Sequence, residues 1–156
     1  MRPEGSVRPR SEAVPTPSTI DVLGVRLALT DYDQALEWID AMVAARLRGY
    51  VCACNVHTVM ASHEDPELRA ALQRASLNVP DGQPLVWAIN ALGQALRERV
   101  YGPELMARAC VRAIDSDHRF YLYGGRNQGA LVQLALNLRQ RHPGVQIVGG
   151  YSPPHR

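Results

Sequence analysis

From Ile20 onward, short apolar runs alternate with longer stretches whose apolar residues recur every three to four positions. The short runs read as strands and the longer ones as amphipathic helices. Ile20 to Leu29 predicts a strand or hairpin around Gly24. Thr30 then caps a helix with Asp33 at its third position; Ala35, Leu36, Ile39, Met42, Val43 and Leu47 form its apolar stripe and Gly49 ends it. Tyr50 to Cys54 is a buried-looking strand ending in Asn55, followed by a helical pattern through Val56, Val59 and Met60. Asp65 caps a second helical stretch with Pro66 at its first position. Leu77 to Val79 is the strand before Asp81, and the helix after Asp81 runs to about Gly93. Glu98 to Pro103 reads as an extended crossing, and Pro103 opens a helix. Phe120 to Tyr123 is a strand entering Gly124-Gly125, and Asn127 caps a helix with the stripe Ala130, Leu131, Leu134, Ala135 and Leu138. Val145 to Val148 is the last strand, ending in Gly149-Gly150.

Strands alternating with helices predict parallel β-α-β units, and hence an α/β, Rossmann-like three-layer sandwich with a mainly parallel sheet. In such sheets ligands bind at the carboxyl ends of the strands. Those ends carry Asn55, Asp81, Gly124-Gly125 and Gly149-Gly150, so Asn55, Asp81 and Gly124-Gly125 are expected to line one cleft. Residues 1–18 hold four prolines and almost no large apolar side chain, which predicts a disordered tail ahead of a domain over residues 19–156.

Composition narrows the chemistry. A net charge of +2 is too small to argue for a nucleic-acid partner. All 17 basic residues are arginine, which removes lysine nucleophiles and a P-loop lysine. A phosphate must then be met by arginine, backbone N–H groups or a helix N-terminus. Three cysteines suit a reducing compartment. Cys52, Cys54 and His57 lack the further ligands of a tetrahedral metal set and read better as core thiols and a capping or packing histidine. Asp31-x-Asp33 and Asp115-x-Asp117 read as helix-start acids and a polar connection. No metal or cofactor is expected. No apolar run approaches the length of a membrane span.

The stretch Pro80-Asp81-Gly82-Gln83-Pro84 delivers one carboxylate between a strand and a helix. Locally this is also ordinary turn chemistry. Gly124-Gly125-Arg126-Asn127 suits a diphosphate as well as it suits a tight turn. Arg99 is either a surface arginine or a guanidinium facing a leaving diphosphate.

At Asn55-Val56-His57-Thr58, Asp65-Pro66-Glu67, Pro80-Asp81-Gly82-Gln83-Pro84-Leu85-Val86-Trp87, Glu98-Arg99-Val100-Tyr101-Gly102 and Tyr123-Gly124-Gly125 the chain resembles the WecG/TagA/CpsF family of bacterial glycosyltransferases. The resemblance runs from about Asp21 to the end. It implies inverting, metal-independent transfer of an N-acetylhexosamine, typically N-acetylmannosamine, from a UDP sugar to a polyprenyl-diphosphate-linked sugar in cell-surface polysaccharide synthesis, teichoic acid and cell wall included. By position, Asp81 matches the family's proposed catalytic base, Asn55 a substrate-pocket asparagine and Arg99 an arginine near the diphosphate. Gly124, Gly125 and Asn127 are the expected substrate-binding turn. Some members carry threonine where this chain has Ala53. The family also continues beyond Tyr151-Ser152-Pro153-Pro154 with further β-α units, so the chain reads as the first half or so of such an enzyme, poorly active alone and prone to self-association. The alternative is a truncated, non-catalytic nucleotide-binding module. The expected location is the cytoplasm, peripheral at the inner face of the cell membrane, where the full-length family meets its lipid acceptor.

Overall fold

The computed structural model describes residues 14–154. The chain is α/β and divides into two compact units, Met1–Gly102 and Pro103–Arg156.

The first unit opens with a hairpin, β1 (Thr19–Val22) and β2 (Val25–Ala28), paired antiparallel. Leu23 and Gly24 both take positive φ, 53° and 81°, the conformation of a two-residue turn whose twist matches the strands. The Asp21 carboxylate accepts the Gly24 N–H at 2.8 Å and closes the turn. Helix α1 (Tyr32–Ala44) begins one residue later than Thr30 capping requires. Asp31 is the cap, its Oδ1 accepting the Gln34 N–H at 2.8 Å, whereas Thr30 is buried with its hydroxyl on the Asp31 carbonyl. The helix also stops before Gly49, because Arg46 turns it with a φ of 53°. That leaves Val43 and Leu47 exposed, and the buried face is Tyr32, Ala35, Leu36 and Trp38.

Next come β3 (Val51–Cys54), α2 (Val56–Glu64), α3 (Pro66–Arg74), β4 (Leu77–Pro80) and α4 (Gln83–Ala91). Strands β3 and β4 are parallel, with Cys54 opposite Pro80. Asp65 caps α3 through the N–H groups of Glu67 and Leu68, and Pro66 opens it, as the sequence predicts. The core joins the hairpin to these elements through Val25, Leu27, Cys54, Val59, Leu72 and Ile89. Asn78 is buried among them with its amide satisfied. Its Nδ2 donates to the carbonyls of Arg26 (3.0 Å) and Leu72 (2.9 Å), and its Oδ1 faces the Cys54 thiol at 3.8 Å. Cys54 and Cys110 are buried thiols, and Cys52 is half-buried.

The expected disordered tail, residues 1–18, falls mostly outside the described residues. Residues 14–18 are placed, with the Ser18 carbonyl accepting the Leu29 N–H at 2.8 Å and Val14 to Ser18 lining one hollow with Trp38; residues 1–13 lie outside the described residues.

The second unit, which begins at Pro103, carries all but the first residue of α5 (Gly102–Ser116), then β5 (Arg119–Tyr123), α6 (Gln128–Arg141) and β6 (Gln146–Tyr151). Strands β5 and β6 are parallel, with a register shift at Phe120/Tyr121. Of the predicted α6 stripe, Leu131, Ala135 and Leu138 face the core while Ala130 and Leu134 stay exposed. Gly149-Gly150 does not end the last strand but lies inside it. A Cβ at 149 would sit 2.8 Å from the Tyr121 ring, so this glycine admits an aromatic side chain rather than a ligand.

Candidate active site

The β3–β4 pair extends one residue past its last register pair, because the Asp81 N–H donates to the Cys54 carbonyl at 2.7 Å. Asn55 and Asp81 therefore leave neighbouring parallel strands at the same edge. Gly82 follows with φ 156° and ψ 138°, a region populated essentially by glycine, and turns the chain into α4.

Each of the two polar side chains is held by one of its atoms. Asn55 caps α2: its Oδ1 accepts the Thr58 N–H at 2.9 Å and the Thr58 hydroxyl at 3.1 Å. That orients the amide and leaves Nδ2 as a donor with no partner among the described residues. Asp81 is half-buried and its Oδ2 accepts the Gly102 N–H at 3.1 Å. Its Oδ1 has no partner among the described residues. A carboxylate so fixed keeps one oxygen ready to take a proton.

The donor to Asp81 belongs to the crossing segment, which three successive amides pin down. The Val100 N–H donates to the Pro80 carbonyl at 2.8 Å, the Tyr101 N–H to Tyr32 Oη at 3.0 Å, and the Gly102 N–H to Asp81. Val100 is fully buried, so alternation turns Arg99 and Tyr101 outward together. The Arg99 guanidinium lies over the Tyr101 ring, 5.1 Å from its centroid. Gly102 fits closely, since a Cβ there would lie 3.1 Å from Ala53 Cβ and 3.5 Å from Asp81 Oδ2. Tyr32, Tyr101 and Gly102 thus join the site although sequence reasoning gave them no role. The signal present was the alternation Arg-Val-Tyr-Gly; the partner in α1 had none. His57 is exposed in the first turn of α2. A hollow of about 440 Å³ opens elsewhere, between Thr30, Asp31, Gln34 and the 94–98 loop, and no predicted site residue lines it.

Burial pushes the Cys54 thiol up to about 12 from an ordinary 9.0, with Cys52 and Asp81 adding to the shift. It is a neutral thiol beneath this edge at physiological pH.

Gly124, Gly125 and Asn127 belong to the second unit. Gly124 (φ 111°) prolongs the β5–β6 ladder, its N–H donating to the Tyr151 carbonyl at 3.0 Å, and Gly125 (φ 90°) turns toward α6. Asn127 Oδ1 caps α6 through the Ala130 N–H at 2.8 Å. Ser152 braces the turn, its hydroxyl on the Gly125 carbonyl (3.2 Å) and its N–H on Gln128 Oε1 (3.1 Å).

Parallel strands β3 and β4 of this α/β protein thus deliver an amide and a carboxylate with one unengaged oxygen to one edge; in open α/β sheets ligands bind at such strand ends. Residues 20–156 match the Glycosyl transferase WecG/TagA/CpsF family, and the chain belongs to that family. Among the described residues no helix is long and apolar enough to cross a membrane.

Proposed function

We propose that this glycosyltransferase moves an N-acetylhexosamine, N-acetylmannosamine in the first instance, from its UDP sugar to a polyprenyl-diphosphate-linked sugar, with inversion and without a metal. The observation that supports it best is the Asp81 carboxylate, anchored through Oδ2 by the Gly102 N–H with Oδ1 unengaged among the described residues. In the proposed step the acceptor hydroxyl oxygen attacks the anomeric carbon from the face opposite the diphosphate. The new C–O bond forms as the bond to UDP breaks, Asp81 takes the hydroxyl proton, and Arg99 meets the charge on the departing diphosphate. Asn55 donates to a substrate oxygen through Nδ2. In the second unit, the Gly125 N–H and the Asn127-capped end of α6 suit phosphate. Gly124's own N–H is already taken by Tyr151. A lipid-linked acceptor implies action at the inner face of the cell membrane, in surface-polysaccharide, teichoic-acid or cell-wall synthesis.

The test is Asp81→Asn, assayed with UDP-N-acetylmannosamine and a polyprenyl-diphosphate-linked acceptor. The amide oxygen can still accept the Gly102 N–H, so the change removes proton affinity and keeps the anchor. The kcat should fall about 100-fold or more while UDP affinity holds. Near-normal turnover would remove Asp81 as the base.

A further inference from the structure

Tyr32 is the first residue of α1, is 6% exposed, and meets the crossing segment 69 residues further along the chain. Its environment explains why a phenol stands there. Successive N–H groups of an extended segment point to opposite sides. Those of Val100 and Gly102 reach the end of β4, to the Pro80 carbonyl and the Asp81 carboxylate. The Tyr101 N–H must therefore point away from β4, where a part-buried amide still needs an acceptor. Tyr32 Oη is that acceptor, at 3.0 Å. Beside the segment, Ala53 limits how far Gly102 can move without contact.

We propose that Tyr32 is a positioning residue for Asp81. It touches no reacting atom. Its phenol oxygen fixes the Tyr101 amide, the fixed segment presents the Gly102 N–H to Oδ2, and that hydrogen bond sets the direction of Oδ1. Helix α1 thereby carries part of the geometry of a carboxylate that follows β4. The proposal rests on the reading of Asp81 as the base.

Tyr32→Phe removes one oxygen and leaves the packing ring. Loss of the hydrogen bond to the Tyr101 N–H should lower kcat about tenfold, with the KM for the UDP sugar unchanged. The distinguishing measurement is a cycle with Asp81→Asn. A residue that acts through Asp81 loses its effect once the base is gone, so Tyr32→Phe should lower the residual rate no further in the Asp81→Asn background. Amide hydrogen exchange gives a second readout that needs no turnover: Tyr101 and Gly102 should exchange about tenfold faster in Tyr32→Phe, with the α3 amides unchanged. Equal losses of rate in both backgrounds, or unchanged exchange at Gly102, overturn this proposal and leave Asp81 as the base. Full activity of Asp81→Asn overturns the base itself, and this proposal with it.

Discussion

Gly102→Ala tests the close approach that holds the carboxylate. The added Cβ would stand 3.1 Å from Ala53 Cβ and 3.5 Å from Asp81 Oδ2. Carbon pairs prefer about 3.5–4.0 Å, so the alanine overlaps its neighbour by about 0.4–0.9 Å. Overpacking of this size costs about 1–3 kcal/mol. Against it, alanine reduces the freedom of the unfolded chain and returns about 0.4–1 kcal/mol, since φ at 102 is not among the positive values. The difference leaves about 0–2.6 kcal/mol of destabilisation, and at about 2–4 °C per kcal/mol for a chain of this size the Tm should fall by up to about 10 °C. The site should suffer beyond this, because the segment relieves the overlap by drawing the Gly102 N–H away from Oδ2. Ala53→Gly removes the opposing methyl, at about 0.5–1 kcal/mol for a glycine within a strand. Thermal unfolding and transferase rates of wild type, both single variants and the double variant complete the cycle. The double variant should recover rate relative to Gly102→Ala, with a coupling of about 0.5 kcal/mol or more. Strict additivity, or a Gly102→Ala protein as active as wild type, would refute the reasoning.

Arg99→Ala should weaken UDP binding by about 1.5–3 kcal/mol and lower turnover, as calorimetry and initial rates would check; Tyr101→Leu should cost a smaller fraction by freeing the guanidinium, with Tyr101→Phe close to wild type. Asn55→Ser and Asn55→Ala separate cap from ligand. Serine should keep most of the roughly 1 kcal/mol of capping stability that alanine loses in urea unfolding, while both should lower turnover. For Cys54 the folded thiol titrates near 12 against an ordinary 9.0, so the folded state favours the protonated form. Its contribution to stability is fully present below pH 9.0 and declines as pH rises from there toward about 12. The stability difference between wild type and Cys54→Ala should therefore hold steady up to about pH 9 and shrink above it; a difference that grows with pH would contradict the burial of this thiol.

What the sequence made legible was local. The hairpin at Gly24, the Asp65-Pro66 start of α3, the Asn127 cap and the strand-turn-helix around Asp81 each carry their own signal within a few residues. What it hid was tertiary. Thr30 and Asp31 are both capping residue types, and only the burial of Thr30 decides between them. Gly49 looked like a helix stop, but Arg46 accepts the left-handed conformation first. Gly149 looked like a ligand-approach glycine, yet its missing Cβ makes room for Tyr121 on the neighbouring strand. The same limit explains the site. Asn55 and Asp81 were readable as strand ends, whereas the Gly102 and Tyr32 contacts join positions 21 and 69 residues apart in sequence.

Asn55 and Asp81 share one device. Each uses one side-chain oxygen to accept a backbone N–H, the first from Thr58 and the second from Gly102, and each is thereby turned with its other polar atom unengaged among the described residues. The Thr58 N–H belongs to the first turn of α2, where amides lack partners within the helix, and the Gly102 N–H closes the pinned crossing segment of the first unit. The Asn55 cap that stabilises α2 thus also orients its amide, while the Asp81 carboxylate is oriented by the Gly102 N–H of a segment that Tyr32 helps to fix. What remains is one donor and one acceptor at adjacent strand ends. A sugar hydroxyl both accepts and donates, so the pair can hold such a group and draw off its proton in the proposed transfer. A change that loosens either anchor should then cost catalysis before it costs the fold.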